Sequence, residues 1–290
     1  MPALIDPQTK EPVFGVQALE DDRLFGTLKN HPFYSMVLVT KGKGIVVADV
    51  STFAFEEHSL MSFAIYQPFK ISGSLEGLWI TFHPSFFCLH KHRNEVSCNG
   101  VLFNNLYDTP VVNLKPDEMR SLSVIVDQLG TEIRRREQPD QDVLISYLKI
   151  FLIEASRAKI EQCRGEEAQP VKTPLTLENL KNAIETHYKT LRSPYDYGEL
   201  LHISAKALNK ACKAHFNKTL TDLIAERLII EAKRELYLTS KSVKEIAFEL
   251  GYEDEFYFSR YFKKKVGVSP QIFRDTVGFN ALVEHSDPHS

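Results

Sequence analysis

Cysteine is scarce in this 290-residue chain: Cys88, Cys98, Cys163 and Cys212 are the four, at irregular spacings. Such usage fits a reducing compartment better than a disulfide framework. No run of about 18 apolar residues occurs, and no basic segment followed by an apolar one opens the chain. A cytoplasmic protein without a membrane partner is therefore expected. Metal-enzyme signatures are also missing. The β-like front half offers His31, His58 and His83, with Glu56 and Glu57 beside His58, but no HxH pair precedes a carboxylate within its runs. His83, Cys88, His90, His92 and Cys98 crowd together without a CxxC or HxxxH pair at zinc-binding spacing. No metal, cofactor or catalytic residue is expected, and the cluster reads as a loop of solvated histidines and packed cysteines.

What remains is ordinary for folded protein: 43% hydrophobic and 25% charged residues, enough chain for about two domains. The net charge of −3 hides an asymmetry. Residues 1–170 carry 17 basic and 22 acidic side chains, whereas residues 171–280 carry 18 and 14. The local field of the basic half matters more to an anionic partner than the total.

Residues 1–112 read as β-rich. Tyr34–Thr40 and Ile45–Val50 flank KGKG at Lys41–Gly44, which suggests a hairpin. Short β-like runs follow at Thr52–Phe55, Leu60–Tyr66 and Leu78–Phe82, as in a small barrel or sandwich. The period then becomes helical, with Met119, Leu122, Val126, Leu129 and Ile133 on one stripe. A second helix after Pro139 carries Val143, Leu144, Tyr147, Leu148, Phe151 and Leu152, apolar surface to spare for the barrel or for a second copy of the chain. Residues 161–174, polar with one Gly and two Pro, carry a linker signature. Beyond them the chain is helical to about Phe273, and 277–290 form a tail.

Two stretches fifty residues apart present the same face. Leu208, Ala211 and Cys212 repeat as Phe258, Tyr261 and Phe262; Lys206, Asn209, Lys210 and Lys213 repeat as Phe256, Ser259, Arg260 and Lys263. At about 100° per residue, each first set forms an apolar stripe and each second set lies opposite. Ser204 and Asp254 are placed to cap the two helices, and a long helix over Thr221–Leu238 separates the units. Lysines on such a face contact phosphate or are simply solvated. Asn209 suits an adenine edge and Arg260 a guanine edge, with Lys263, Lys264 and Lys265 attracting the backbone. Glu255 either accepts from a cytosine amino group or only favours the helix N-terminus, and Phe256 suits a thymine methyl.

Residues 177–274 resemble the DNA-binding domain of the AraC/XylS family of bacterial transcription regulators. Ser242–Arg274 is the specific part, matching at Ile246-Ala247, Gly251-Tyr252, Tyr257-Phe258, Arg260, Phe262-Lys263, Gly267 and Ser269-Pro270. The front half resembles that family's cupin-like sensor domain more loosely. The resemblance implies an α+β chain with a cupin-like β-barrel and helical hairpin in 1–160, a linker in 161–174, and an all-α domain with two helix-turn-helix units in 175–276. It implies that Lys206, Asn209, Lys210, Glu255, Phe256, Ser259 and Arg260 face bases of double-stranded DNA. It further implies a small-molecule effector, a homodimer, contact with RNA polymerase and activation of transcription. The sequence departs from the family pattern at His202 and Asn217, where Gly is usual, and at Cys212, usually Phe. The reading from another class is a cupin-type enzyme or small-molecule binding protein with an accessory helical domain.

Overall fold

The computed structural model describes residues 3–6, 10–89, 92, 101–103, 106–135, 139–168 and 175–277. The chain divides into two compact units. The first comprises residues 1–105 and 109–166; the second comprises 106–108 and 167–290. His90 and Cys98 lie outside the described residues.

In the first unit seven strands make one antiparallel sheet: β1 (Ala3–Ile5), β2 (Pro12–Leu19), β3 (Tyr34–Ala48), β4 (Ser51–Phe55), β5 (Ser59–Phe63), β6 (Phe69–Phe82) and β7 (Val111–Asn113). Their order is β1-β2-β6-β3-β5-β7, with β4 also paired to β3. β1 and β7 are not paired to one another among the described residues, so the sheet is open.

The hairpin expected at KGKG is not formed. Lys41–Gly44 lie inside β3, which runs unbroken for 15 residues against β6. The glycines permit close strand approach instead of a reversal. A Cβ at Gly42 would lie 2.2 Å from the Ser74 carbonyl oxygen, and one at Gly44 would lie 2.3 Å from that of Ser72. Glycine within a strand marks such close backbone approach as readily as it marks a turn.

Alternation along the strands gives the sheet two apolar faces. Met36, Leu38, Leu60, Ile80 and Phe82 pack with α1 (Pro116–Ile133) and α2 (Gln141–Ala168). Val37, Val39, Met61, Phe63, Phe69 and Trp79 form a second core on the other face. The expected stripe of α1 is buried throughout, as are Leu144, Leu148, Phe151 and Leu152 of α2. Residues 161–168, expected within the linker, are helical and belong to α2; residues 169–174 of that expected linker lie outside the described residues. Gly165 costs a helix only about 1 kcal/mol and does not stop it.

The second unit is helical: α3 (Leu175–His187), α4 (Pro194–Leu201), α5 (Ala205–Phe216), α6 (Leu220–Leu238), α7 (Val243–Glu249), α8 (Glu255–Val266) and α9 (Pro270–Val277). Local chemistry sets the helix starts. Ser193 with Asp196, Thr219 with Asp222, and Ser242 with Glu245 form capping boxes at α4, α6 and α7. Leu223, Ile224, Leu228, Ala232 and Leu236 make α6 the buried spine, packed against α3, α5, α7, α8 and α9.

His202 ends α4 in the left-handed region, at φ 56°, where a residue with a Cβ is strained by about 1 kcal/mol or more. Replacing it with glycine, His202→Gly, is expected to raise the unfolding free energy by up to about 1 kcal/mol in a denaturant titration. A lower stability would show that the imidazole offsets the backbone cost.

Candidate DNA-binding surface

Helices α5 and α8 each follow a short turn and begin at a side-chain cap. Ser204 accepts from the Ala207 amide at 3.3 Å. Asp254 accepts from the Phe256 amide at 2.8 Å. Each helix buries one stripe: Leu208, Cys212 and Phe216 in α5, and Phe258, Phe262 and Val266 in α8. Ala211 and Tyr261, the remaining members of the repeat, are half-buried. The Cys212 thiol sits in the core position and burial pushes its pKa up to about 11, so it behaves as a small apolar side chain.

The opposite faces are polar and open. Lys206, Lys210 and Lys213 are exposed on α5, and Arg260, Lys263 and Lys264 on α8. Glu255, Ser259 and Lys265 are half-buried at the margin of that face. Phe256 is 74% exposed, an apolar ring held in water at the N-terminus of α8. Single exposed apolar residues are common; this one stands one turn before Arg260 on the same helix face.

Ion pairing separates these cations from the others of the unit. Arg227 of α6 pairs with Glu185 at 2.8 Å and Glu231 at 3.1 Å, and its guanidinium lies 4.0 Å above the Tyr188 ring. Arg234 pairs with Glu231 at 3.2 Å, and Lys241 pairs with Glu235 at 2.9 Å and Glu249 at 2.6 Å. Among the described residues no carboxylate lies within ion-pair distance of Lys206, Lys210, Lys213, Arg260, Lys263, Lys264 or Lys265. Intramolecular acids neutralise the spine and leave the two outer faces positive. That arrangement attracts a polyanion and makes binding sensitive to salt.

Two polar residues at or next to the α5 face are otherwise engaged. Lys218, directly after α5, is buried; its Nζ donates to Glu226 at 2.7 Å and to the Leu106 carbonyl at 3.3 Å. Half-buried Asn209 accepts from the Leu220 amide through Oδ1 at 3.0 Å, thereby capping α6. A bidentate adenine contact needs both ends of that amide, so Asn209 is committed to the fold at the oxygen end. Neither partner is visible locally, because Leu220 lies eleven residues on and Leu106 more than a hundred residues back. Outside this surface, His83 Nδ1 bonds Ser85 at 2.7 Å and His92 stacks on Phe87 at 4.7 Å. The described His, Cys and acidic residues form no group able to hold a metal.

Residues 197–276, from α4 through α9, match the helix-turn-helix domain family. That matched domain is similar to the helix-turn-helix domains of AraC/XylS-type regulators. It is 39% identical over 88 residues to the HTH-type transcriptional activator Btr of Bacillus subtilis, covering 30% of this chain and 17% of Btr. The HTH-type transcriptional regulator YfiF of the same organism is 26% identical over 268 residues, covering 85% of this chain and 78% of YfiF. ToxT of Vibrio cholerae aligns structurally with a TM-score of 0.41 and 16% identity over 91% of this chain and 98% of its own. The matched residues 197–276 include both exposed faces.

The cap made by Asn209 has a measurable signature. Asn209→Ala is expected to lower unfolding stability by about 1 kcal/mol through loss of the Leu220 bond. Lys206→Ala on the same face should leave stability within about 0.5 kcal/mol. Equal stability of the two variants in thermal or urea unfolding would show that the amide does not support α6.

Proposed function

We propose that this protein is a sequence-specific DNA-binding transcription regulator that uses α4–α5 and α7–α8 as two helix-turn-helix units. The observation that carries the reading is the pair of exposed, unneutralised cationic faces on α5 and α8, fifty residues apart in sequence and packed against one spine helix. Helices of this kind enter successive major grooves when their supports hold them on one flank of a duplex.

In this reading Lys206, Lys210 and Arg260 meet base edges or phosphates. Phe256 meets a thymine methyl, Ser259 and Glu255 border the contact, and Lys213, Lys263, Lys264 and Lys265 lie along the backbone. Asn209 contributes its amino end only. The name of the related Btr as a transcriptional activator supports activation, with RNA polymerase as the protein partner. The seven-stranded sheet with its two apolar faces supports a cupin-like domain that senses a small effector or joins two copies of the chain. No described helix is long and apolar enough to cross a membrane, and a nucleic-acid ligand supports a cytoplasmic setting.

Selection of bound sequences from random duplex DNA by the full-length protein tests the reading and yields the site. On that site Arg260→Ala is expected to cost about 1–3 kcal/mol of specific binding with the fold intact. An unchanged affinity in the folded variant removes Arg260 from the contact. Lys264→Ala should weaken binding to all sequences alike and flatten the dependence of log K on log salt by about one unit. Altered base preference in that variant would contradict its assignment to the backbone.

A further inference from the structure

The two helix pairs are joined by more than α6. The segment between α3 and α4 lies against the turn between α7 and α8, and Arg192 is the link. Its backbone N–H donates to Asp196 Oδ2 at 3.0 Å, the same carboxylate that closes the α4 capping box. Its Nη2 donates to the Leu250 carbonyl at the end of α7. Its guanidinium sits 4.5 Å above the Tyr252 ring. One residue thus meets the cap of the first pair through its backbone N–H and grips the turn of the second through its side chain.

Gly251 allows the grip. It has φ +77°, and a Cβ there would stand 2.3 Å from the Lys189 carbonyl oxygen and 3.0 Å from Arg192 Nη2. Tyr252 carries the contact into α8, with its ring 5.2 Å from Phe258 and 6.0 Å from both Tyr257 and Tyr261. A continuous path therefore runs from the cap of α4 through Arg192 and Tyr252 to the face of α8 opposite Phe256 and Arg260. Arg192 belongs to no ion pair among the described residues, so its forked donors and flat face act by geometry.

We propose that Arg192 is a positioning residue that fixes the displacement between α5 and α8, and with it the spacing of the two half-sites that the protein accepts. The proposal rests on the two-reader function given above. A single helix such as α6 leaves the far pair free to rock about its contact, whereas a second strut removes that freedom. One added base pair turns the far half-site by about 34° and moves it about 3.4 Å, a change that a braced pair resists and an unbraced pair absorbs.

The test measures full-length protein on the selected duplex and on duplexes with one base pair removed, or one or two added, between the half-sites. Wild type is expected to lose about tenfold or more in affinity at each changed spacing, the size of a poor site in such complexes. Arg192→Ala should compress that ratio to about threefold, and Arg192→Lys, which keeps a cation over the ring but loses the fork, should fall between. Circular dichroism confirms folding; should Arg192→Ala not fold, Arg192→Lys and Tyr252→Leu supply the same ratio. A loss by one common factor at every spacing, or an unchanged profile, overturns the positioning role. Failure of wild type to bind any duplex overturns the two-reader function and this proposal together.

Discussion

Burial of one face of α6 is the constraint on which the second unit depends. Leu223, Ile224, Leu228, Ala232 and Leu236 are withdrawn from water against five other helices. Each of the short helices α4, α5, α7 and α8 is at or below the length at which a helix holds in water alone. They persist because caps satisfy their first amides and because packing covers their apolar stripes, α5, α7 and α8 against α6 and α4 against α3 and α5. Phe258 and Phe262 serve that packing, which is why the aromatic wealth of α8 speaks first of core and only at Phe256 of a ligand.

The same spine solves an electrostatic problem. Glu185, Glu226, Glu231 and Glu235 pair with cations on or near α6, so these four acids are matched by cations away from the outer faces of α5 and α8. Among the described residues, Lys206, Lys210 and Lys213 of α5 and Arg260, Lys263, Lys264 and Lys265 of α8 have no carboxylate within ion-pair distance. A chain of net charge −3 can in this way present two positive faces, because what a polyanion meets is the local distribution and not the sum. Lys218 marks the border: one residue beyond α5 and its C-cap Asn217, it turns inward to Glu226 instead of outward.

Much of this was legible in linear order. Ser204, Asp254, Ser242 and Gly267 stand at helix ends as their chemistry requires, and the stripe of α1 and the buried positions of α6 follow the helical period. Other features misled for identifiable reasons. KGKG has the composition of a turn, yet the glycines serve strand contact with Ser72 and Ser74. Residues 161–168 have the polarity of a linker, yet solvent-facing helix has the same polarity. The short strands suggested a barrel or sandwich; among the described residues they form one open sheet, since closure depends on pairing between the first and last strands and not on their number.

By itself the sequence determined where the capped helices of the second unit begin, which of their faces are apolar, and that two such helices recur at a fixed interval. Those properties arise from interactions within a few residues, so they are written in neighbouring letters. Only the tertiary structure decided that Asn209 spends its oxygen on Leu220, that Lys218 is buried, and that Arg192 reaches Leu250 across 58 positions. Such partners are set by how elements pack after the chain has folded back on itself, and no local pattern names them.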